Sequence, residues 1–393
     1  MTPQTRLADP EELAAAARPA HRIPLWDRDV KIPFFTTGLL LLLFLIFSAE
    51  QYFEPSVTPG FDVGGTTLTA LGALDSLLAG DQGEWWRIAT APFLHASFVH
   101  IVSNGVVLLL IGAVLEKLIG RAWLAATFVV SAFSGAAAAL LMNPPDLPTV
   151  GASGGIIGLL AAALVISFHP ACRAWRWWLR AFAVLLAGPA LIPVAATPGA
   201  PSVIDVSSHL GGSVAGALMG FLIQAVWPED APRPLHPAAA ANFAAVGFGA
   251  VLAAFILVAS NYPAYAAREH LLMTAADMPK SDADGQARSG ALVLAYPHDP
   301  RAHLYRAAWF EGQGDAADAE QEVRTALSDP ETTALGFDAA FQMRMRYDLA
   351  ILLAQQARFD DAKVAAQPLC ETVPSELADA RVRLEHAGLC GRS

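Results

Sequence analysis

Charged residues are scarce in this chain of 393 residues, at 16% of the total, whereas hydrophobic residues make up 54% and the mean hydropathy is +0.43. Ordinary soluble domains carry about 25% charged residues. The composition therefore indicates a membrane protein rather than a wholly soluble one. Clusters of basic residues are also missing, and a net charge of −11 opposes binding to phosphates. We therefore predict no nucleic-acid partner and take the lipid bilayer as the surroundings of the chain.

Cysteine is scarce as well, with three in the chain, and none lies in a Cys-x-x-Cys or Cys/His pattern with the spacing of a zinc site. Three imidazoles can bind zinc, and His95, His100 and His209 would supply them. A zinc site would leave Ser153 and Asn104, which accompany these histidines, without a role. We therefore predict neither a metal nor a cofactor.

A cleavable signal peptide is not indicated. The first 32 residues mix basic, acidic and proline residues, and the first apolar run begins only near Ile32. Glu50, Gln51 and Tyr52 follow that run, where a signal peptide would offer small residues for cleavage. We interpret residues 1–32 as a cytoplasmic N-terminal tail and residues from about 33 to 49 as a retained first transmembrane helix.

Seven apolar segments have the length of about 17–25 residues that a membrane-spanning helix needs. They lie near residues 33–49, 94–115, 121–142, 152–169, 176–196, 203–226 and 238–260. Glycine recurs every four residues at Gly212, Gly216 and Gly220, and also at Gly154 and Gly158. Small residues let helices approach closely in lipid, so we predict that these two helices pack together.

Basic residues are divided unequally between alternate loops. The tail and the loops on its side of the membrane hold 11 Lys and Arg residues, whereas the opposite loops hold Arg87 alone. The positive-inside rule places the N-terminus in the cytoplasm and, after seven crossings, the C-terminal region outside. We expect a multi-pass protein of the cell membrane, of the bacterial inner-membrane type.

The C-terminal third is more polar, since residues 262–393 carry 13 Lys and Arg against 20 Asp and Glu. The stretch from Leu304 to Pro330 resembles a tetratricopeptide repeat, which is a pair of helices with small residues where they cross. A poorer copy runs from Tyr347 to Pro374, with Ala357 where glycine is usual. Solenoids usually need three or more units, so a generic bundle of helical hairpins is the alternative. Helical repeats would offer a surface to a protein partner.

Two cysteines lie in this third of the chain. If it is outside the cell, Cys370 and Cys390 are in an oxidising compartment where a disulfide would persist. The alternative is a pair of free thiols that fill gaps between helices.

Polar residues, which are costly inside a bilayer, occur in three of the apolar segments. The sequence TVGASGGIIG surrounds Ser153, although small residues of this kind also serve helix packing alone. His95, His100 and Asn104 form the pattern His-x4-His-x3-Asn, and His209 opens His-Leu-Gly-Gly. With the N-terminus inside, all three segments descend from the outer face, so we expect these groups at a common depth in the outer part of the bilayer.

These residue types suit nucleophilic catalysis. A serine hydroxyl needs a base to take its proton during attack, and a neutral histidine on a neighbouring helix is the usual one, so Ser153 and His209 make a candidate pair. The backbone N–H of Ser153 and the side chains of His100 and Asn104, which share one helix face, could stabilise an oxyanion. For His95, nearer the surface, we expect a structural role.

Trp86 and Arg87 precede this region. Aromatic rings suit the boundary between water and lipid, and the arginine can hydrogen-bond to loop carbonyls. The pair is therefore either an interfacial anchor or a means of ordering the loop.

Together the motifs WR…HxxxxHxxxN, GxSG and HxxG resemble those of the rhomboid intramembrane serine proteases. The resemblance covers residues 33–226 and includes Gly151, Gly154 and Gly212 within the motifs, as well as the pattern Glu116-Lys117-x2-Gly120. It implies a Ser–His dyad without an aspartate and a core of six transmembrane helices. It also implies cleavage of transmembrane or membrane-adjacent segments of protein substrates near the outer leaflet.

Two features depart from the family pattern. Ile157 stands where many members place an aromatic residue that packs on the histidine, and a seventh helix with a repeat domain follows the six-helix core.

Taken together, the segments predict an all-α fold with a tail at 1–32, a polytopic core at 33–226, a linker and seventh helix at 227–261, and a soluble tetratricopeptide-like domain at 262–393.

Two other functions compete with proteolysis. A relative that binds membrane helices without cutting them should lack the serine or the histidine, and this chain has both. A transporter normally has acidic relays, broken helices or internal repeats, and none is evident in the six-helix region.

Overall fold

The structure, a computed structural model, describes residues 32–54, 60–80, 83–143, 148–192, 205–269, 271–273, 277–329, 337, 339–371 and 377–391. Regular structure in these ranges is helical, apart from an isolated antiparallel bridge between Leu74 and Thr149. The chain forms two compact units, and the second consists of Gly80–Gln82 and Asn261–Ser393, so that the boundary falls near the end of the helix Pro237–Glu269. The N-terminal tail that we predict lies outside the described residues except for Ile32.

The helices of the first unit follow the apolar segments and the loop between the first two of them. In chain order they are α1 (Phe34–Phe53), α2 (Gly65–Ala70), α3 (Ser76–Gly80), α4 (Arg87–Thr90), α5 (Phe98–Met142), α6 (Ser153–Ile166), α7 (Arg176–Phe182), α8 (Gly188–Ala190), α9 (Val206–Ala225) and α10 (Pro237–Glu269). A turn of π-helix at Ala183–Ala187 joins α7 to α8.

Among the described residues, four helices are long and apolar enough to cross a membrane, namely α1, α5, α9 and α10. Helix α5 has 45 residues, and Gly120 within it has a φ of +82°, a conformation that interrupts the helix. Each part of α5 is therefore about 22 residues and about 33 Å long, enough to cross once. Helix α6 is a shorter apolar helix. The fold is a polytopic helical bundle, as predicted, although residues 193–196 and 203–204 of the predicted segments lie outside the described ranges.

Helices α5, α6 and α9 form the most extensively packed group of the first unit. A Cβ atom added to Gly212 would overlap the carbonyl of Gly154, and one added to Gly216 would overlap the carbonyl of Gly158. The backbones of α6 and α9 are thus in direct contact, and the packing predicted from the glycine spacing is confirmed.

Glu116 in α5 caps the beginning of α1. Its carboxylate accepts hydrogen bonds from the backbone N–H groups of Phe35 at 3.0 Å and Thr36 at 2.9 Å, and from the Thr36 hydroxyl at 2.9 Å. These are donors of the first turn, which a helix cannot satisfy by itself. The negative charge is also favourable at this end of the helix dipole.

Helix α10, which corresponds to the predicted seventh transmembrane helix, packs against other elements of its unit. The ring of Phe248 lies 6.3 Å from that of Phe93 and 5.9 Å from that of Phe35, measured between centroids. A Cβ atom on Gly247 would overlap the side chain of Val129 in α5. Helix α10 therefore contacts α1, α5 and the segment just before α5.

The second unit is built from six described helices of nine residues or more. They are α11 (Asp282–Ala295), α12 (Pro300–Gly312), α13 (Ala316–Ser328), α14 (Ala339–Gln355), α15 (Phe359–Glu371) and α16 (Ala378–His386). Its core contains the alanines expected at helix crossings, with Ala319, Ala350 and Ala362 fully buried. The prolines that end the two repeat-like stretches, Pro330 and Pro374, lie outside the described residues.

Helices α12 and α13 are joined by the same kind of turn as α14 and α15. Gly314 has a φ of +81° and Ala357 a φ of +61°. After each of them a backbone N–H reaches five residues back, from Asp315 to the Phe310 carbonyl at 3.0 Å and from Arg358 to the Leu353 carbonyl at 2.9 Å. Ala357 therefore adopts the left-handed conformation that usually belongs to glycine.

A disulfide joins Cys370, in α15, to Cys390, after α16, with the Cα atoms 5.5 Å apart. That distance is normal for a disulfide. Of the two possibilities for these cysteines, the structure contains the bonded one. Cys172, in the first unit, is free and buried.

Candidate active site

The loop before α5 is ordered by Arg87, whose side chain is completely buried. Its Nη1 donates to the carbonyls of Thr69 at 2.6 Å and Ala73 at 2.9 Å, and its Nε donates to the Glu84 carboxylate at 2.6 Å. The guanidinium also lies 4.9 Å from the centre of the buried Trp86 ring. These contacts correspond to the loop-ordering role rather than to an anchor at the lipid surface.

This loop holds the segment that leads to Ser153. Leu74 and Thr149 exchange two backbone hydrogen bonds, of 3.0 and 2.8 Å, and the N–H of Gly151 donates to the Ala91 carbonyl at 3.0 Å. Gly151 has a φ of +120°, which side-chain-bearing residues rarely adopt. The segment therefore reaches α6 in a conformation that requires glycine.

His100 and Asn104 in α5 face this segment. A Cβ atom on Gly151 would lie 2.7 Å from Cε1 of His100 and 3.7 Å from Nδ2 of Asn104. The absence of a side chain at Gly151 thus lets both groups lie against the backbone two residues before Ser153. The structure brings together the two motifs in which these residues were predicted to act.

His95 lies three residues before α5 begins, and not within that helix as the apolar pattern suggested. Its Nε2 is 3.1 Å from Nδ2 of Asn104. Because an amide nitrogen can only donate, the ring nitrogen accepts, and one N–H of Asn104 remains for another acceptor. The backbone N–H of His95 donates to both carboxylate oxygens of the buried Glu50, at 3.1 and 3.2 Å.

Ser153 is the first residue of α6 and is half-buried. A backbone N–H in the first turn of a helix has no partner within the helix, so that of Ser153 can serve an external acceptor. Ile157, in the next turn of the same helix, is buried. It stands at the position where many rhomboid proteases have an aromatic residue.

His209 in α9 is buried, and its Nδ1 is 2.8 Å from the carbonyl oxygen of Ala190. A carbonyl oxygen can only accept, so Nδ1 carries a proton and Nε2 of the neutral ring keeps its lone pair. This is the tautomer that a general base acting through Nε2 requires.

The segments that carry Ser153 and His209 touch at the adjacent residues. A Cβ atom on Gly154 would lie 2.7 Å from the hydroxyl oxygen of Ser208 and 3.2 Å from its carbonyl oxygen. Among the described residues no hydrogen bond joins Ser153 to His209. Catalytic hydrogen bonds are often longer in substrate-free structures and shorten in the complex, so the lack of this hydrogen bond is compatible with a dyad.

Some residues of this region were not singled out from the sequence. Glu50 supports His95, and its only signal is a carboxylate directly after an apolar run. Asp205 and Thr149 share a hydrogen bond between loop positions 56 residues apart. Within the described part of the chain, no group of three or more His, Cys, Asp or Glu side chains is placed to hold a metal ion.

Comparison with known proteins gives the family. The family model for the rhomboid domain matches residues 82–226. Putative rhomboid protease YdcA of Bacillus subtilis (strain 168) is 31% identical over 141 residues, which are 36% of this chain and 68% of that protein. The chain belongs to the rhomboid family. It is thus a multi-pass membrane protein of a family of intramembrane proteases, which act on transmembrane proteins within the bilayer.

Other rhomboid relatives match over smaller shares of their length. RHOMBOID-like protein 1 of Arabidopsis thaliana is 33% identical over 156 residues, which are 40% of this chain and 39% of that protein. Rhomboid protease GluP of Bacillus subtilis (strain 168) is 29% identical over 177 residues, which are 44% of this chain and 32% of that protein. The matched part of this chain therefore spans half or less of the length of these curated relatives, and it likewise spans 50% of RHOMBOID-like protein 5 of Arabidopsis thaliana.

Proposed function

We propose that this rhomboid protein is a serine endopeptidase that cleaves transmembrane or membrane-adjacent segments of membrane proteins through a dyad of Ser153 and His209. The observation that carries the proposal is the contact between Gly154 and Ser208, the direct neighbours of these two residues. The tautomer of His209, with Nδ1 donating to Ala190, further supports it.

In the proposed reaction, Oγ of Ser153 attacks the carbonyl carbon of the scissile peptide bond while Nε2 of His209 takes the hydroxyl proton. The tetrahedral intermediate carries its negative charge on the former carbonyl oxygen. His209 then gives the proton to the leaving amine, and the acyl-enzyme forms. Water then attacks the acyl carbon while His209 takes its proton, and the second tetrahedral intermediate collapses as His209 gives that proton to Oγ of Ser153. This step releases the new carboxyl group and restores both the serine and the neutral histidine.

The oxyanion needs donors that are already in place. We assign this role to the backbone N–H of Ser153, to His100 and to the N–H of Asn104 that His95 does not use. The position of His100 and Asn104 beside Gly151 supports the assignment, since Gly151 lies two residues before the serine. In this arrangement His95 orients the Asn104 amide, and Glu50 holds His95.

The experiment that tests the function uses the full-length protein in liposomes with a panel of fluorescently labelled transmembrane segments. Wild type should release cleaved products, and Ser153→Ala and His209→Ala should release none. Ser213→Ala is the matched control, because its hydroxyl donates to the Leu210 carbonyl of its own helix. If wild type binds the segments, as crosslinking would detect, but leaves them intact, the protein is a helix-binding relative and the proposal is wrong.

We also propose the orientation and a role for the second unit. The N-terminus is cytoplasmic and the second unit lies outside, which the charge of the loops and the Cys370–Cys390 disulfide support, because disulfides persist in oxidising compartments. The matching turns at Gly314 and Ala357 support a tetratricopeptide-like domain from residue 262 on, which would receive a protein partner.

A further inference from the structure

A carboxylate links the segments that carry Ser153 and His209. Asp205 immediately precedes α9, and its Oδ1 accepts a hydrogen bond from the backbone N–H of Ser208 at 2.9 Å, which caps the helix. Its Oδ2 accepts a second hydrogen bond, from the hydroxyl of Thr149 at 2.9 Å. Both oxygens of one side chain are therefore used, one on each segment.

Thr149 is itself held from other sides. Its hydroxyl oxygen accepts a hydrogen bond from Nδ2 of Asn143, at the end of α5, at 3.0 Å. Its backbone N–H and carbonyl pair with Leu74 of the preceding loop. The side chain is buried, so water competes little for these bonds. Thr149 thus provides Asp205 with a fixed attachment point.

The two residues joined by this hydrogen bond each lie four residues before a member of the proposed dyad. Thr149 precedes Ser153 in this way, and Asp205 precedes His209. The backbone N–H of His209 donates to the carbonyl of Asp205 at 3.1 Å, so a shift of Asp205 moves His209 with it. Helices α6 and α9 meet through glycines, whose lack of side chains allows close approach but provides few interlocking groups against sliding. The hydrogen bond between Thr149 and Asp205, just before the first residues of the two helices, adds a directed restraint at the ends that carry Ser153 and His209.

We propose that Asp205 is a positioning residue that sets the separation of Ser153 and His209 through its hydrogen bond to Thr149. The inference rests on the proposed function, in which those two residues form the dyad. Asp205 does not touch the reacting atoms; its effect passes through the two segments it joins. Because a displacement of about 1 Å between reacting groups can cost about 100-fold in rate, loss of the link lowers kcat on the order of 10- to 100-fold and leaves KM nearly unchanged.

The test compares variants that break the link in different ways, in the full-length protein in liposomes. Thr149→Val removes the donor and keeps the shape of the side chain, whereas Thr149→Ser retains the hydroxyl. Asp205→Asn keeps an oxygen to cap Ser208 but replaces the charged acceptor by an N–H group, so the Thr149 hydroxyl loses the acceptor for its proton. Thr127→Val is the matched control, because it removes a buried threonine hydroxyl that donates to Trp123 at 2.8 Å elsewhere in α5.

The measurements are kcat and KM for a cleaved segment, the rate at which a fluorophosphonate labels Ser153, and thermal unfolding. We expect Thr149→Val and Asp205→Asn to lower kcat and the labelling rate on the order of 10- to 100-fold with KM within about twofold. Thr149→Ser and Thr127→Val should stay near wild type. The double variant of Thr149→Val and Asp205→Asn should be no slower than the slower single one, because both remove the same link.

The inference is overturned if Thr149→Val cleaves at the wild-type rate, or if Thr127→Val loses as much activity. Should Thr149→Val fail to fold, Asp205→Asn decides by the same criteria, since it keeps the helix cap. A wild-type protein that neither cleaves nor is labelled at Ser153 would refute the proposed function itself. Cleavage by wild type and by every link variant alike would refute the positioning role alone.

Discussion

His209 donates a hydrogen bond from Nδ1 to the carbonyl oxygen of Ala190, at 2.8 Å. In many serine hydrolases an aspartate side chain orients the histidine, whereas here a backbone acceptor occupies that place. The orientation of the ring is thus set without the aromatic residue that Ile157 replaces. A neutral acceptor stabilises an imidazolium less than a carboxylate would, so in the proposed dyad His209 depends more strongly on its position relative to Ser153.

The first prediction concerns the coupling of Ser153 and His209. Ser153→Ala and His209→Ala should each abolish cleavage, and the double variant should be no slower than either single one, because each loss disables the same proton transfer. Initial rates in liposomes, with folding checked by circular dichroism, measure this. If the fold loss in rate of the double variant instead equals the product of the two single losses, the residues act independently, contrary to the dyad.

The second prediction concerns the oxyanion donors. His100→Ala and Asn104→Ala should each slow cleavage by about 10²–10³, or roughly 3–4 kcal/mol, without abolishing it, because other donors remain. His95→Ala should slow the wild type but add little in the Asn104→Ala background, since its ring acts through the Asn104 amide.

The control for these variants is Ser103→Ala, on the same helix, whose hydroxyl donates to the Val99 carbonyl. It should cleave at the wild-type rate. Unchanged kinetics in both His100→Ala and Asn104→Ala would show that these side chains only pack against the loop.

The third prediction concerns the turn at Ala357. A left-handed conformation destabilises a residue with a Cβ atom by about 1–2 kcal/mol. Replacing that residue by glycine removes this cost, but it also lowers stability by about 0.4–1 kcal/mol because glycine raises the entropy of the unfolded chain. Ala357→Gly should therefore stabilise the α14–α15 hairpin by about 0.5–1 kcal/mol, while Gly314→Ala should destabilise the α12–α13 hairpin by a similar amount. Hydrogen exchange of the full-length protein measures both. Weaker protection of α14 and α15 in Ala357→Gly would contradict the assignment.

The fourth prediction concerns the disulfide. The bond closes a loop between residues separated by 20 positions. Reduction, or replacement of both cysteines by serine, should lower the stability of the second unit by roughly 3 kcal/mol. Thiol labelling of denatured protein with and without reductant should reveal two additional thiols after reduction. An equal count in both samples would show free cysteines.

The fifth prediction concerns the side of the membrane on which the second unit lies. Val364→Cys places a thiol at a well-exposed position of α15, with 71% of the residue accessible. A membrane-impermeant reagent should label it in intact cells, because an odd number of crossings puts the second unit outside. Labelling only after lysis would place the unit in the cytoplasm and refute the count of seven crossings.

Much of the fold follows from the sequence because it depends on composition and period. Apolar length locates the helices, and glycine spacing identifies the faces of α6 and α9 that meet. Gly120 did not need to be recognised as a break for the two parts of α5 to be counted, since Glu116, Lys117 and Arg121 already divide the apolar run. The start of α5 was less predictable, because residues around His95 are as apolar as the helix that follows.

The contacts that orient the candidate site were the part that the sequence could not predict. Ala190 acts through its carbonyl oxygen, which every residue has, so its identity gives no signal. Glu50 and Asp205 act on groups 45 and 56 residues away along the chain, and such pairings depend on the tertiary fold. The side chains with distinctive chemistry could be named in advance, but the groups that hold them could not.

The direct backbone contact between Gly154 and Gly212 also limits how this chain can vary. A Cβ atom on Gly212 would overlap the backbone carbonyl of Gly154, so no rotamer change can absorb it, and even alanine at position 212 must force the helices apart. Neither glycine needs to take part in chemistry for this to matter. The positions least tolerant of substitution should therefore include the chemically inert Gly212, so that a mutational scan for activity would mark it as strongly as the two residues of the proposed dyad.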